Sequence, residues 1–398
     1  MPFSNVRLSA VATFKGLSQA DLSLLEAQLS PIAVTRGTAL VREGEAADAL
    51  YIVVTGRFSV DVADHDGPVA EISSGATIGE IAFFAGGMRT ATCTAIRDSV
   101  VVRLTRADFD AISAHAPAIW SNITATLAER LAAETRKSAR LSGGGAAKPP
   151  ARTLAVVRAG NRPIPTAFLD GLCVMAQRDP ATLVVSSHTL KMHGLTPESL
   201  DGVDATQTLN GLESRYATVV YIADDTLTPW SEKAIRQSDE IVLAGYHGTA
   251  PVGAPVARNE LEAFSFSLDH PPRHRLALLH DYRGGVQGTR HWLARRPVVM
   301  HHHLALGDDA SLARLWRFLR GAALGFVACG GGAYCAAHIG LYKAFNEHGI
   351  ELDLLGGASG GAAMAAAFAD ELPADEIDRR VHRMFIDGKA MQRYTLPR

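Results

Sequence analysis

Hydrophobic and polar positions change rhythm three times along this chain. Between about Phe14 and Arg136 the apolar runs are short, and turn signals recur at Arg36-Gly37, Glu43-Gly44, Thr55-Gly56, Asp66-Gly67 and Ser74-Gly75. A spacing of roughly ten residues between such signals predicts an antiparallel β-roll or barrel, with Leu50–Val54 and Ser99–Leu104 as its clearest strands. A capping serine, Ser18, stands before an apolar period of three and four and predicts a short opening helix. Ala107–Ala114 also reads as helix. So does Pro117 to about Arg140, where Trp120, Ile123, Leu127 and Leu131 fall on one stripe. From about Thr153 to Ala305 the rhythm lengthens. Leu154–Val157, Ala181–Val185, Thr218–Ile222 and Glu240–Ala244 are continuous apolar runs between helical segments, the pattern of buried parallel strands in an α/β layer. The third rhythm, Leu324–Phe368, holds two glycine-rich turns, each between a short apolar run and a helical segment.

Between the first two rhythms, Arg136–Arg152 reads RKSARLSGGGAAKPPAR. Glycine, proline and basic residues in that density build no core, so this is a linker. The expected division is residues 14–136, a linker at 137–152, an α/β connecting domain at 153–320, and a further domain beginning at 321.

The last stretch carries the most specific chemistry. In Gly357-Ala358-Ser359-Gly360-Gly361 a serine sits between small residues in the G-x-S-x-G spacing of a nucleophile elbow. Such a turn is sharp, and glycines relieve the crowding at its flanks. It aims the hydroxyl outward at the N-terminus of the next helix, where free amides favour developing negative charge. The earlier turn, Gly330-Gly331-Gly332-Ala333, offers further amides. Ser359 as nucleophile, with the amides of Gly331, Gly332, Ala333 and Gly360 as oxyanion hole, is the candidate catalytic set.

Composition narrows the class. The chain has 398 residues, 47% hydrophobic and 20% charged, enough for two or three globular domains. A formal charge of −2 gives no overall attraction to nucleic acid, and no nucleic-acid partner is expected. Four cysteines without a C-x-x-C pair suggest a reducing compartment. Met1–Ser30 lacks the basic start and apolar core of a secretory signal. Gly321–Tyr342 is uncharged over a length that would flag a membrane span, but a triple glycine in its middle suits strand, turn and helix instead. No metal site is assigned. His301, His302 and His303 would alternate faces on a strand and cannot all bind one ion, and Asp224 and Asp225 suit loop capping. No Walker-type phosphate loop is present.

The two glycine turns, about 27 residues apart, resemble the opening of the patatin-like phospholipase domain. The family's first turn reads G-G-G-x-R-G, followed by A-H-I-G on a helix, and its second reads G-x-S-x-G. Here these are Gly330–Cys335, Ala337-His338-Ile339-Gly340 and Gly357–Gly361. Tyr334 replaces the family's arginine and Cys335 its last glycine. The resemblance implies a serine–aspartate dyad, the aspartate lying in a D-G-G or D-G-A turn far downstream. Asp387-Gly388 is the only Asp-Gly after the serine and follows too closely, so the hydrolase domain reads as cut short at Arg398. The resemblance gives His338 and His348 structural roles.

Within the first unit, Gly79-Glu80-Ile81-Ala82 and Arg89-Thr90-Ala91 put a carboxylate at the start of a short helix and a guanidinium nine residues on. A carboxylate suits a ribose hydroxyl, and a guanidinium grips phosphate as a bidentate fork. The spacing resembles the phosphate-binding cassette of cyclic nucleotide-binding domains, and Gly44-Glu45, Asp48, Leu50-Tyr51 and Gly56 extend the likeness. By that resemblance Glu80 holds the ribose 2′-hydroxyl, Arg89 the cyclic phosphate, and the backbone around Gly79, Ile81, Ala82, Thr90 and Ala91 the rest. Either cAMP or cGMP is then an allosteric ligand, with no other cofactor.

The order of pieces resembles bacterial proteins of the neuropathy target esterase family. This implies a multidomain α+β and α/β chain: a β-roll, an α/β connector and the start of a patatin-like α/β hydrolase domain. The implied function is a cyclic-nucleotide-regulated serine lipid acyl hydrolase of lysophospholipase type, cytoplasmic and peripheral to the inner membrane, with a lipid or lysophospholipid substrate and a homodimer contact through helix 117–140. The rival reading is a catalytically dead nucleotide sensor or scaffold.

Overall fold

The computed structural model describes Gln19 and residues 29–65, 67–115, 153–247, 254–282 and 286–388. The expected opening helix, the helix from Pro117 and the linker at 137–152 lie outside these residues. Two compact units divide the chain, residues 1–312 and 313–398.

The first unit begins with β1 (Pro31–Val34), β2 (Ala39–Val41), β3 (Ala49–Thr55), β4 (Arg57–Asp61), β5 (Ala70–Ser73) and β6 (Thr77–Ile78). A short helix, α1 (Glu80–Ala85), leads to β7 (Thr92–Ala95), β8 (Ser99–Thr105) and α2 (Arg106–His115). The strands pair antiparallel as two four-stranded sheets, β1-β8-β3-β6 and β2-β7-β4-β5. Val34, Val41, Val53, Phe58, Ile78 and Val101 fill the space between them. Gly37, Gly44, Gly56, Gly67 and Gly75 all have positive φ, the left-handed backbone that glycine adopts without a Cβ penalty. At Gly56 the need is also steric: a Cβ would lie 2.1 Å from Oγ of Ser99.

The same unit continues with β9 (Thr153–Ala159), α3 (Thr166–Gln177), β10 (Thr182–Ser186), α4 (Val203–Arg215), β11 (Thr218–Ile222), α5 (Pro229–Gln237) and β12 (Glu240–Tyr246). Then come α6 (Glu260–Ser267), β13 (Arg273–His280), α7 (Thr289–Leu293) and β14 (Met300–Ala305), and α8 (Asp309–Leu319) runs across the boundary into the second unit. All six strands run parallel in the order β10-β11-β9-β12-β13-β14. Strands buried on both faces need no polar alternation, which is why this sheet reads as apolar runs. β13 lacks that signature at its start, where Arg273, His274 and Arg275 interrupt the apolar run. In the sheet Arg273 and Arg275 both pair with the buried Glu240 on β12.

Charge joins the β-roll to the parallel sheet. Asp98, 2% exposed at the start of β8, accepts from the Arg36 amide at 3.0 Å and from Lys233 Nζ on α5 at 2.8 Å. Arg236 Nε reaches it at 3.2 Å. Arg97 pairs with Glu213 on α4 and donates to the Gln237 carbonyl at 3.0 Å. Arg36 caps the carbonyls of Ser238 and His270, each at 2.7 Å.

The second unit holds β15 (Gly325–Ala328), a 3-10 turn (Gly332–Ala336), α9 (Ala337–Glu347), β16 (Leu354–Gly357), α10 (Gly360–Ala369) and α11 (Ala374–His382). β15 and β16 pair in parallel. Ile339, Met364, Phe368 and Ile377 form the core, and Tyr342 stacks on Phe368 with ring centroids 4.4 Å apart. The uncharged Gly321–Tyr342 stretch is therefore strand, turn and helix. No helix among the described residues is long and apolar enough to cross a membrane.

Candidate active site and nucleotide-binding site

Ser359 stands between β16 and α10 with φ 53° and ψ −128°. A β-carbon in that backbone conformation is strained, and such strain persists only where neighbouring structure holds it. Here the neighbours are backbone. A Cβ on Gly357 would lie 2.5 Å from the Gly361 carbonyl, and one on Gly361 would lie 2.3 Å from the Ala328 carbonyl. Only glycine fits at either flank, so the spacing seen in the sequence follows from close approach of β15, β16 and α10. Ser359 is exposed at the head of the ten-residue α10.

The triple-glycine turn lies against this elbow. A Cβ on Gly330 would sit 3.2 Å from the Ser359 Cβ, and one on Gly360 would sit 3.3 Å from the Gly332 carbonyl. Gly331, Gly332 and Ala333 open the 3-10 turn, and the first amides of any helical turn have no partner within it. Tyr334 points outward and is 88% exposed. Cys335 is buried, its Sγ directed to the Cys329 carbonyl at 3.5 Å and packed where a Gly360 Cβ would come within 2.9 Å. The thiol thus occupies space beneath the elbow and not on its open side.

Of the two nearby histidines, His348 closes α9, with Nδ1 3.1 Å from the Ala344 carbonyl. His338 lies on the first turn of α9 beside the triple glycine, with Nδ1 2.8 Å from the Cys335 carbonyl. Asp387 ends a π-helical turn after α11. Asp353, immediately before β16, takes two bonds from Arg317 Nε at 3.0 Å and one from the Leu324 amide at 2.9 Å. Burial pushes its carboxyl up, but the Arg317 guanidinium and that amide outweigh burial and hold it below the usual range.

In the β-roll, Gly79 (φ 81°) caps α1. Arg89 is 4% exposed and donates to the carbonyls of Gly79 at 3.1 Å and Ala49 at 2.5 Å, with Asp48 at 3.6 Å. Its backbone is held by the Gly44-Glu45 loop: the Gly44 amide donates to the Arg89 carbonyl at 2.9 Å, and the Arg89 amide to the Glu45 carbonyl at 2.8 Å. Glu80 and Ala82 are buried in α1, whereas Ile81 and Thr90 are exposed and Ala91 is half-buried. The two halves of the sequence signature, 79–82 and 89–91, thus meet at one place.

The parallel sheet has its topological switch between β9 and β12, where doubly wound folds often take a ligand. Here side chains fill the crevice. Trp292 packs on Gly160 and Gly245, and the Gly160 amide donates to Glu262 at 2.9 Å. Glu262 pairs with the fully buried Arg296. His280 and His303 stack nearby, Nε2 to Nδ1 at 2.8 Å, too close to hold an ion between them. No metal-binding group of three or more such ligands occurs among the described residues. Asp224 accepts from Ser187 and Thr228 hydroxyls at 2.6 Å, and so orders its loop.

Comparison with known proteins gives three family matches in chain order. Residues 31–115 match the cyclic nucleotide-binding domain, 167–317 the Neuropathy Target Esterase family P-loop like domain, and 326–387 the patatin-like phospholipase family. Lysophospholipase NTE1 of Mycosarcoma maydis is 28% identical over 85% of this chain and 21% of its own length. Neuropathy target esterase sws of Drosophila virilis is 28% identical over 84% of this chain and 25% of its own. Among solved structures, Thermus thermophilus Catabolite Activator Protein is 25% identical, covers 33% of this chain and 63% of that one, and has a TM-score of 0.30. The chain spans about a quarter of the length of the curated relatives it matches. The fold and the matches define a multidomain chain that joins a cyclic nucleotide-binding β-roll to patatin-like phospholipase sequence. Between them lies the match to the Neuropathy Target Esterase family P-loop like domain, and the relatives similar over most of this chain are named lysophospholipase NTE1 and neuropathy target esterase.

Proposed function

We propose that this chain contributes the nucleophile and oxyanion turn of a serine lipid acyl hydrolase of lysophospholipase type, biased by a cyclic nucleotide. One observation carries the reading: an exposed serine held at φ 53° on a helix N-terminus, with a triple-glycine turn packed against it. Ser359 attacks the acyl ester carbonyl, and the amides around Gly331, Gly332, Ala333 and Gly360 stabilise the oxyanion. The family resemblance implies an aspartate in a D-G-G or D-G-A turn as the base that removes the serine proton, and none of the 398 residues is assigned that role. The name of the relative called a lysophospholipase supports a lipid or lysophospholipid substrate, and contact with a membrane surface belongs to the same proposal. In the β-roll, Arg89 takes the cyclic phosphate and Glu80 the ribose.

The replacements at Tyr334 and Cys335 favour a second reading, a nucleotide-sensing or scaffold protein without catalysis. Fluorophosphonate labelling of the 398-residue chain separates the two. Covalent label on Ser359, absent in Ser359→Ala, supports the hydrolase; no label and no lysophospholipid turnover removes it.

A further inference from the structure

The turn beside Ser359 carries a second reactive pair that acyl transfer leaves unused. Cys329 directly follows β15, and its Sγ lies 3.7 Å from Nε2 of His338. The other ring nitrogen of His338 faces the Cys335 carbonyl at 2.8 Å. A carbonyl only accepts, so Nδ1 carries the proton, and Nε2 of the neutral ring is left as an acceptor facing the thiol. The ring is kept in place by Phe326, edge-on with centroids 6.0 Å apart. Of the four cysteines, Cys93 and Cys335 are buried and Cys173 is half-buried, its thiol pushed up by burial. Cys329 is exposed. Its position is fixed from the other side too, because its carbonyl lies where a Gly361 Cβ would come within 2.4 Å.

We propose that Cys329 and His338 form a second nucleophilic centre, a thiol–imidazole pair that takes soft carbon electrophiles of the α,β-unsaturated carbonyl class. As the sulfur attacks, the S–H proton passes to Nε2 of His338. A C–S bond forms at the β-carbon, the C=C π pair moves to the enolate, and the imidazolium returns the proton to the α-carbon. Nothing is oxidised or reduced. The pair rests on its own geometry; the further consequence, that an adduct on this turn obstructs Ser359, rests on the hydrolase reading.

The test uses the full chain and limiting N-ethylmaleimide at neutral pH, with peptide mass spectrometry giving a rate at each cysteine. Cys329 should react at least about tenfold faster than Cys173 and than free glutathione, since a positioned base contributes about a hundredfold or more. His338→Gln should lower the Cys329 rate by at least about tenfold and leave Cys173 unchanged. A Cys329 rate no greater than that of glutathione overturns the pair, as does a rate indifferent to His338→Gln. If that variant fails to fold by circular dichroism, the wild-type comparison with glutathione decides alone. Alkylation should also lower fluorophosphonate labelling of Ser359, and Cys329→Ser should abolish that sensitivity; labelling unchanged by a Cys329 adduct rejects the obstruction. Untreated protein that takes no fluorophosphonate refutes the hydrolase reading, while the alkylation rates still judge the thiol pair.

Discussion

Replacing Asp98 by alanine tests whether buried charge clamps the β-roll to the parallel sheet. Asp98 receives Lys233 Nζ at 2.8 Å, Arg236 Nε at 3.2 Å and the Arg36 amide at 3.0 Å. Lys233 is 1% exposed and makes its other side-chain bond to the Thr206 hydroxyl at 2.7 Å. Removing the carboxylate strands a buried ammonium, and breaking such a pair from one side costs about 3–5 kcal/mol. Against a domain stability of about 5–15 kcal/mol that is a large fraction. Burial alone would raise the Asp98 carboxyl, but Lys233 and Arg236 outweigh it and hold the carboxyl below its usual value. A depressed carboxylate stabilises the fold above the unfolded value of about 3.9 and loses that contribution as pH falls through the folded value. Burial, only partly offset by Asp98, lowers the Lys233 ammonium, so it works in the opposite sense. Its deprotonation as pH rises toward the unfolded value relieves a cost. The assay is urea unfolding at neutral pH, followed by circular dichroism and tryptophan fluorescence. Asp98→Ala should lose about 3 kcal/mol or more, and adding Lys233→Met should recover part of the loss, with a coupling of about 1–3 kcal/mol. A loss under about 1 kcal/mol, or strictly additive effects, refutes the clamp.

Three further outcomes are expected. Calorimetry with cAMP and cGMP should give binding heat that disappears in Arg89→Ala; flat traces for the wild type with both nucleotides reject the sensor. Gly79→Ala should abolish the same heat, because its Cβ would meet Arg89 Nη1 at 2.0 Å in a backbone of φ 81°; unchanged affinity would show that Arg89 moves without consequence. His274, stacked on Phe266 and 3.1 Å from the Ser265 hydroxyl, is lowered from 6.5 to about 4, chiefly by burial. A lowered imidazole costs nothing above pH 6.5 and destabilises as pH falls toward 4, by about 2 kcal/mol at pH 5. Urea midpoints at pH 7 and 5 should converge in His274→Phe, and an unchanged pH slope would refute the assignment.

What the sequence revealed was local. Five turn glycines were readable because each supplies a left-handed residue at the end of a short apolar run, and all five have positive φ. The elbow was readable for a steric reason: Gly357 and Gly361 are required by contacts with backbone a few residues away or on the adjoining strand. The strands β9 to β12 were readable as apolar runs. β13 was not, because a strand that opens with three basic or imidazole side chains carries no apolar signature until its partner, Glu240, is known.

The buried charges that join the domains were illegible on different grounds. Asp98 and Lys233 are 135 residues apart, and Arg97 and Gln237 are 140 apart. Periodicity reports which face of an element is buried, but not which distant element covers it. In isolation, Arg97-Asp98 before an apolar strand reads as a solvated turn. The same distinction separates the two chemistries on the glycine turn. Ser359 announces itself through neighbours that must be small, whereas Cys329 and His338 are nine residues apart and the glycine motif that lies between them does not mark them as a pair. What makes that pair legible is the Cys335 carbonyl, which fixes the tautomer, and that contact exists only once the turn has folded. Motif reading therefore finds groups constrained by backbone crowding and misses groups constrained by hydrogen bonding, so buried ion pairs and fixed imidazoles are where a structure adds most to a sequence of this kind.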